Sequence, residues 1–465
     1  MYDAPLNPAL DEAELRRLET EYCSYGDTVH YLPDPKFFTG CDGSFMYDAE
    51  GREFLDLQMW YSAVNFGYRN PRLNAVAARQ LDTLPQVASQ YLHREKVELA
   101  AMIGRDAEQK FGRKGRVHFN VGGAQAVEDS LKIVRNATGG KSLMFAFEGG
   151  YHGRTLGASA ITSSYRYRRR YGHFGERAQF IEFPYHFRGP KGMSKEEYGA
   201  ACVQKFERLF ETEYNGVLDT KTGQAEFAAF YVEPIQGTGG YVVPPKNFFV
   251  ELKKVLDRYG ILLVVDEIQM GFFRTGKLWS IEHFGVEPDV LVFGKALTNG
   301  LNPLSGLWAR EELINPTVFP PGSTHSTFNA NPMGTAVGLE VLRMLAEDDY
   351  ETSVAEKGAY FLDGLKDLQK RWPQIGDVDG LGLALRAEIC EADGWTPNKA
   401  LLDQMAEEGM KADLEVDGKR YGLILDVGGY HKNVITLAPS LHITKDEIDL
   451  GLRLLDQLLA RCVRD

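Results

Sequence analysis

Two short apolar runs constrain this chain more than any other feature. Ile261 to Val265 is unbroken branched aliphatic sequence ending in Asp266, and Asp289 to Phe293 reads DVLVF before Gly294 and Lys295. A strand that is apolar at every position, rather than at alternate ones, is buried on both faces, as in a parallel sheet covered by helices. The neighbouring sequence agrees. From Arg116 onward, strand-like RVHFNV leads to a helix-like QAVEDSLKIVRNATG with Val127, Leu131 and Val134 on one face, and then to strand-like KSLMFAF. A helix over 197–212, a strand over 228–232 and a helix over 246–259 follow. Such alternation predicts an α/β fold with a mainly parallel sheet flanked by helices.

The ends of the chain read differently. An amphipathic helix is expected from Asp11 to about Tyr22, then an extended arm with Pro33 and Pro35, then a hairpin over 43–58 with an Asp-Ala-Glu-Gly turn. Asn70-Pro71 starts a helix as a cap followed by proline, and another runs from about Glu95 to Phe111. Beyond about 335 come two long helices, strands near 381–389, 423–427 and 434–437, and a closing helix. The expected division is an N-terminal segment (1–70) that belongs with a small α+β domain, a large domain (71–335), and the C-terminal small domain (336–465).

Ligands of open α/β sheets bind beyond the carboxyl ends of the strands, so Asp266 and Lys295 offer an acid and an amine to one crevice. Their separation, 295 − 266 = 29 residues, leaves room for one crossover. Pyridoxal phosphate chemistry needs this pair: an acid to keep the pyridine nitrogen protonated and a lysine to carry the cofactor. Apolar surroundings would lower the lysine's pKa. Either residue alone would more often be a cap or a solvated side chain.

Other motifs fit the same crevice. Gly122, Gly123 and Ala124 lie between a strand and a helix N-terminus, where free N–H groups favour a phosphate, although glycines also serve simple tight turns. The pattern is neither GxGxxG nor a P-loop. GGYHGRT (149–155) puts Tyr151 and His152 at a strand's carboxyl end, where a tyrosine can stack on a flat ring. STHSTFNANP (323–332) is rich in hydroxyls suited to an anion. The basic run RYRRRYGHFGER (166–177) reads as a solvated or inter-subunit face.

Composition narrows the partners. A net charge of −13 argues against nucleic acid and anionic membrane. The five cysteines are scattered, with no zinc spacing and no HExxH, so reduced thiols and no metal are expected. The N-terminus has no apolar signal region and no stretch is long enough to span a membrane, which points to a cytoplasmic protein.

Together, DEIQMGFFRTG followed by a strand, GK and NGLNP, with YHGRT, EPIQG and STFNANP in order, resembles the class III aminotransferases among the fold-type I pyridoxal phosphate enzymes. The resemblance runs from about residue 40 to the C-terminus and implies a seven-stranded large domain. It also implies transfer of an amino group from an amine or amino acid to a keto acid such as pyruvate or 2-oxoglutarate, by a ping-pong route. By motif position Lys295 resembles the cofactor-bearing lysine and Asp266 the pyridinium partner. Gln269 would lie near the phenolic oxygen, Gly123 and Ala124 in the phosphate cup, and Tyr151 on the ring. Glu233 would be an acid at the floor. Thr327 would reach the phosphate of a neighbouring subunit, implying a homodimer with shared sites. Substrate contacts are expected from Trp60, Thr238, Asp426 and Thr436. Thr238 and Thr436 replace residues that bind carboxylates or their partners in many members, so the usual cationic clamps are expected to be missing. Asp426 would then suit a diamine or basic donor. An amino-acid racemase on the same scaffold and a non-catalytic cofactor-binding protein are the rival readings.

Overall fold

The computed structural model describes residues 11–26, 35–168, 171 and 178–463. Pro33 and most of the basic run beyond Arg168 lie outside the described residues. The central sheet has seven strands: β1 (Gly115–Asn120), β2 (Leu143–Phe147), β3 (Gln179–Ile181), β4 (Phe227–Val232), β5 (Leu262–Asp266), β6 (Val290–Phe293) and β7 (Ser305–Arg310). They lie in the order β1-β7-β6-β5-β4-β2-β3. Only β7 runs against its neighbours.

Burial explains the apolar runs. All positions of β4 and β6 are buried, and β5 is buried after its first residue. Each such Val, Leu or Phe contributes about 1.5–3 kcal/mol by leaving water. The layer beside β2 and β4 is aromatic, with Phe145 stacked on Phe227 at 3.8 Å and edge-on to Phe206 at 5.0 Å.

Helix Pro71–Thr83 starts as its sequence suggests. Asn70 accepts from the Arg72 and Leu73 amides, and Pro71 occupies the first turn. Helix Pro332–Glu347 is buried on nearly every side because it packs between helices Pro71–Thr83 and Arg94–Phe111 and the segment after Lys295.

The hairpin Phe45–Asp48/Glu53–Asp56 forms as expected and gains a third strand, Phe38–Asp42. Glu53–Asp56 then pairs in parallel with Lys419–Ile424, so the N-terminal segment and the C-terminal part share one five-stranded sheet. The strand expected near 381–389 is a hairpin, Ile375–Leu381/Ala384–Ile389. The one expected over 423–427 is divided between two sheets at Leu425.

Candidate active site

Strand register assembles the site. Val265 of β5 lies opposite Val232 of β4, and Asp266 opposite Val292 of β6. Adjacent strands therefore end in Glu233, Asp266 and, past Gly294, Lys295. Gly122 follows β1 and Tyr151 follows β2 at the same carboxyl edge. Lys295 itself sits at φ 42° and Asn299 at φ 49°, left-handed positions for non-glycine residues, which cost on the order of 1–2 kcal/mol each.

Asp266 is buried and holds two bonds: Oδ1 accepts from the Ile268 amide at 3.0 Å, and Oδ2 faces His152 Nδ1 at 2.9 Å. Burial pulls the His152 imidazole toward neutrality, but the hydrogen bond and charge of Asp266 raise its pKa on balance. Glu233 accepts from the Tyr151 amide at 2.9 Å and the Gly237 amide at 3.0 Å. Burial, assisted by the Asp266 charge, pushes its carboxyl up to about 7. The Lys295 ammonium is lowered by burial, against the opposing pull of Asp266, Glu233 and Asp426.

The helix Gly123–Ala137 begins with Gly122 as a cap that has no side-chain bond to the first turn. Its first amides are therefore available to an anion. Close packing fixes this end: a Cβ on Gly123 would come within 2.9 Å of Ile268, and one on Gly153 (φ +125°) within 2.6 Å of Ala124 Cβ.

A cavity of about 680 Å³ opens at this edge, lined by Tyr151, Thr238, Gln269, Lys295 and Asp426 among the expected residues. Gly122, Gly123, Ala124, His152, Glu233 and Asp266 are not part of its lining. Gln269 donates to the Tyr241 hydroxyl at 3.1 Å. Two substrate candidates are placed elsewhere. Trp60 is 56% exposed, and its ring covers Gly300; the cavity is lined instead by Tyr61. Thr436 is buried and donates to Asp426 Oδ2 at 2.5 Å across paired strands. Thr327 is exposed on the loop before helix Pro332–Glu347.

Sequence reasoning missed the cations. Arg154, Arg166 and Lys432 line the cavity wall, with Lys36 and Lys399. These cations stand at positions other than Thr238, Asp426 and Thr436. Arg154 stands in YHGRT, where only the tyrosine and histidine drew attention. Its guanidinium lies 4.4 Å from the Tyr167 ring centroid and 6.0 Å from that of Tyr151, and no carboxylate pairs with it among the described residues.

Tyr61 is held by a left-handed turn, Met59 to Ser62, with φ from 45° to 64°. Asp56 Oδ1 accepts from the Gln58 and Met59 amides. Arg274, fully buried, donates from Nε to Ser62 Oγ at 2.9 Å and from Nη2 to Asn65 at 2.5 Å. Its Nη1 donates to the carbonyls of Leu383 and Pro439 at 3.1 and 2.6 Å. One arginine of the DEIQMGFFRTG motif thus ties the turn to the C-terminal part.

An open sheet that gathers an acid, an amine and an uncapped helix end at one edge defines a fold-type I transferase. The chain belongs to the class-III aminotransferase family, whose model matches residues 29–459. The alanine/serine racemase of Pyrococcus horikoshii is 32% identical, over 90% of this chain and 84% of that protein. A probable 4-aminobutyrate aminotransferase of Bacillus subtilis is 30% identical over 89% and 91%. The amine transaminase of an uncultivated Pseudomonas species, solved in its PLP-bound form, superposes with a TM-score of 0.82 at 26% identity, covering 98% of both chains. The chain is thus an aminotransferase by family and fold.

Proposed function

We propose that this aminotransferase holds pyridoxal phosphate between Asp266 and Lys295 and acts on donors and acceptors that carry a carboxylate. The residues present fit the cofactor: the uncapped turn at Gly122–Ala124 suits the phosphate, Asp266 fixed by His152 suits the ring nitrogen, and Tyr151 and Gln269 line the same cavity as Lys295. When bound, the cofactor supplies an aldehyde that takes the amino group and a ring that accepts charge from the donor carbon. Lys295, its ammonium lowered by burial, is suited to taking and returning the proton at that carbon.

The observation that carries the substrate reading is Arg154, a cation on the cavity wall with no carboxylate among the described residues, beside Arg166 and Lys432. Asp426 is a poorer partner for a cationic donor. Its oxygens already accept from Gln58 Nε2 at 3.2 Å and Thr436, and burial raises its pKa, favouring the neutral acid. The test compares an amino acid with the amine lacking its carboxylate, in wild type and Arg154→Met. A selective rise in KM for the amino acid is expected; equal changes for both would refute the role.

A racemase remains the second reading because one of the most similar relatives carries that activity. A homodimer with Thr327 reaching a partner's site is supported by exposed apolar side chains. Leu92 is 81% and Phe328 68% exposed, near the point where Ser89 meets His325. Among the described residues no helix is long and apolar enough to cross a membrane; a cytoplasmic location and a large unit spanning 71–335 belong to the same proposal.

A further inference from the structure

A second cavity, of about 370 Å³, lies between the 185–195 segment of the large part and the hairpin Ile375–Leu381/Ala384–Ile389. It shares no lining residue with the active-site cavity. Its wall holds Arg386, whose side chain is 1% exposed. Among the described residues this guanidinium bonds from Nη2 alone: to Glu388 Oε2 at 2.5 Å, to the Tyr185 hydroxyl, and to Asp377 Oδ2 at 3.3 Å. Nε is buried with no partner, and Nη1 makes no hydrogen bond among the described residues. A buried guanidinium with donors left over is costly unless something meets them.

The surroundings specify what could. Lys195 pairs with Asp379 at 2.8 Å, and Arg188 donates to Glu388 Oε1 at 2.8 Å. Among the described residues Lys191 pairs with no carboxylate; its ammonium lies 5.5 Å from the Trp395 ring centroid. Among the lining residues three cations (Lys191, Lys195, Arg386) face two carboxylates (Asp377, Asp379). Val242, Val243 and the tilted pair Phe187 and Trp395, 5.3 Å apart, supply an apolar side of the wall. The space is large enough for a small organic acid.

We propose that this interdomain cavity binds a small monocarboxylate with an aromatic or branched apolar body. The carboxylate meets Nη1 of Arg386, Lys191 supplies the balancing charge, and the body lies against Trp395 and Val243. The site is independent of the amino-transfer chemistry.

The test uses the holoenzyme and 4-bromobenzoate, with 4-bromobenzamide as the neutral control. Soaked crystals are expected to show a bromine anomalous peak in this cavity with the carboxylate on Arg386. Calorimetry is expected to show the acid but not the amide binding there, weakened at least tenfold by Lys191→Glu and by Arg386→Met. Lys191 is outside the active site, so Lys191→Glu should leave kcat and KM for amino transfer unchanged; this arm stands even if Arg386→Met fails to fold. A peak only in the active-site cavity, equal binding of acid and amide, or full affinity in Lys191→Glu would overturn the proposal.

Discussion

His152 Nδ1 stands 2.9 Å from Asp266 Oδ2, and both side chains are buried. The imidazole comes from the loop after β2 and the carboxylate from the end of β5, so the bond reaches across the end of the intervening β4. A carboxylate held this way need not rearrange when a partner arrives.

Removing the charge and removing its support should differ. Asp266→Asn is expected to lower kcat by about 10²–10⁴. His152→Ala removes only the orienting bond, worth about 1–3 kcal/mol, or a factor of roughly 5 to 150. Steady-state kinetics on both variants check this; an effect of His152→Ala equal to that of Asp266→Asn would contradict the ranking.

Lys295 makes stability depend on pH in the cofactor-free protein. Burial lowers its folded pKa, so between that value and the ordinary lysine value of about 10.4 the unfolded chain binds more protons. Stability there rises with pH. Lys295→Met removes this burden, so its advantage in Tm over wild type is expected to be greatest near neutral pH and to shrink as pH approaches about 10. Thermal melts across that range decide; a gap that stays constant would rule the mechanism out.

Arg274 is expected to be the costliest buried side chain to truncate near the site. Arg274→Met leaves Ser62, Asn65 and two carbonyls without their donor, a loss of about 1–3 kcal/mol for each buried group left unsatisfied. Lys, with a single charged head, should recover only part of it. Denaturant midpoints test this, and a change under about 1 kcal/mol would contradict the tie between the turn and the C-terminal part.

Asp426→Asn should scale the rates for basic and neutral donors alike, because the carboxyl is already committed to Gln58 and Thr436. Kinetics with a diamine and a neutral amino acid check the ratio. A selective loss with the diamine would restore Asp426 as a substrate contact.

The strands that deliver the site were legible because β4, β5 and β6 are apolar throughout, a pattern few other settings require. β3 and β7 were not. β3 is three residues long and follows the basic run, while β7 joins antiparallel and carries no flanking helix repeat. Lys295 and Asp266 could be read from strand ends. Arg154 could not, since a loop arginine has no periodic signal and its place depends on Tyr151 and Tyr167 folding beneath it. Trp60 and Tyr61 are adjacent in sequence, and only the left-handed turn decides which faces the cavity.

The most direct test of the central claim is to mix holoenzyme with L-alanine in the absence of a keto acid and to count products per chain. Amino transfer is expected to release about one pyruvate per active site and then stop until 2-oxoglutarate is added, as a ping-pong route requires. D-alanine accumulating over many turnovers without pyruvate would contradict it and assign the chain to racemisation.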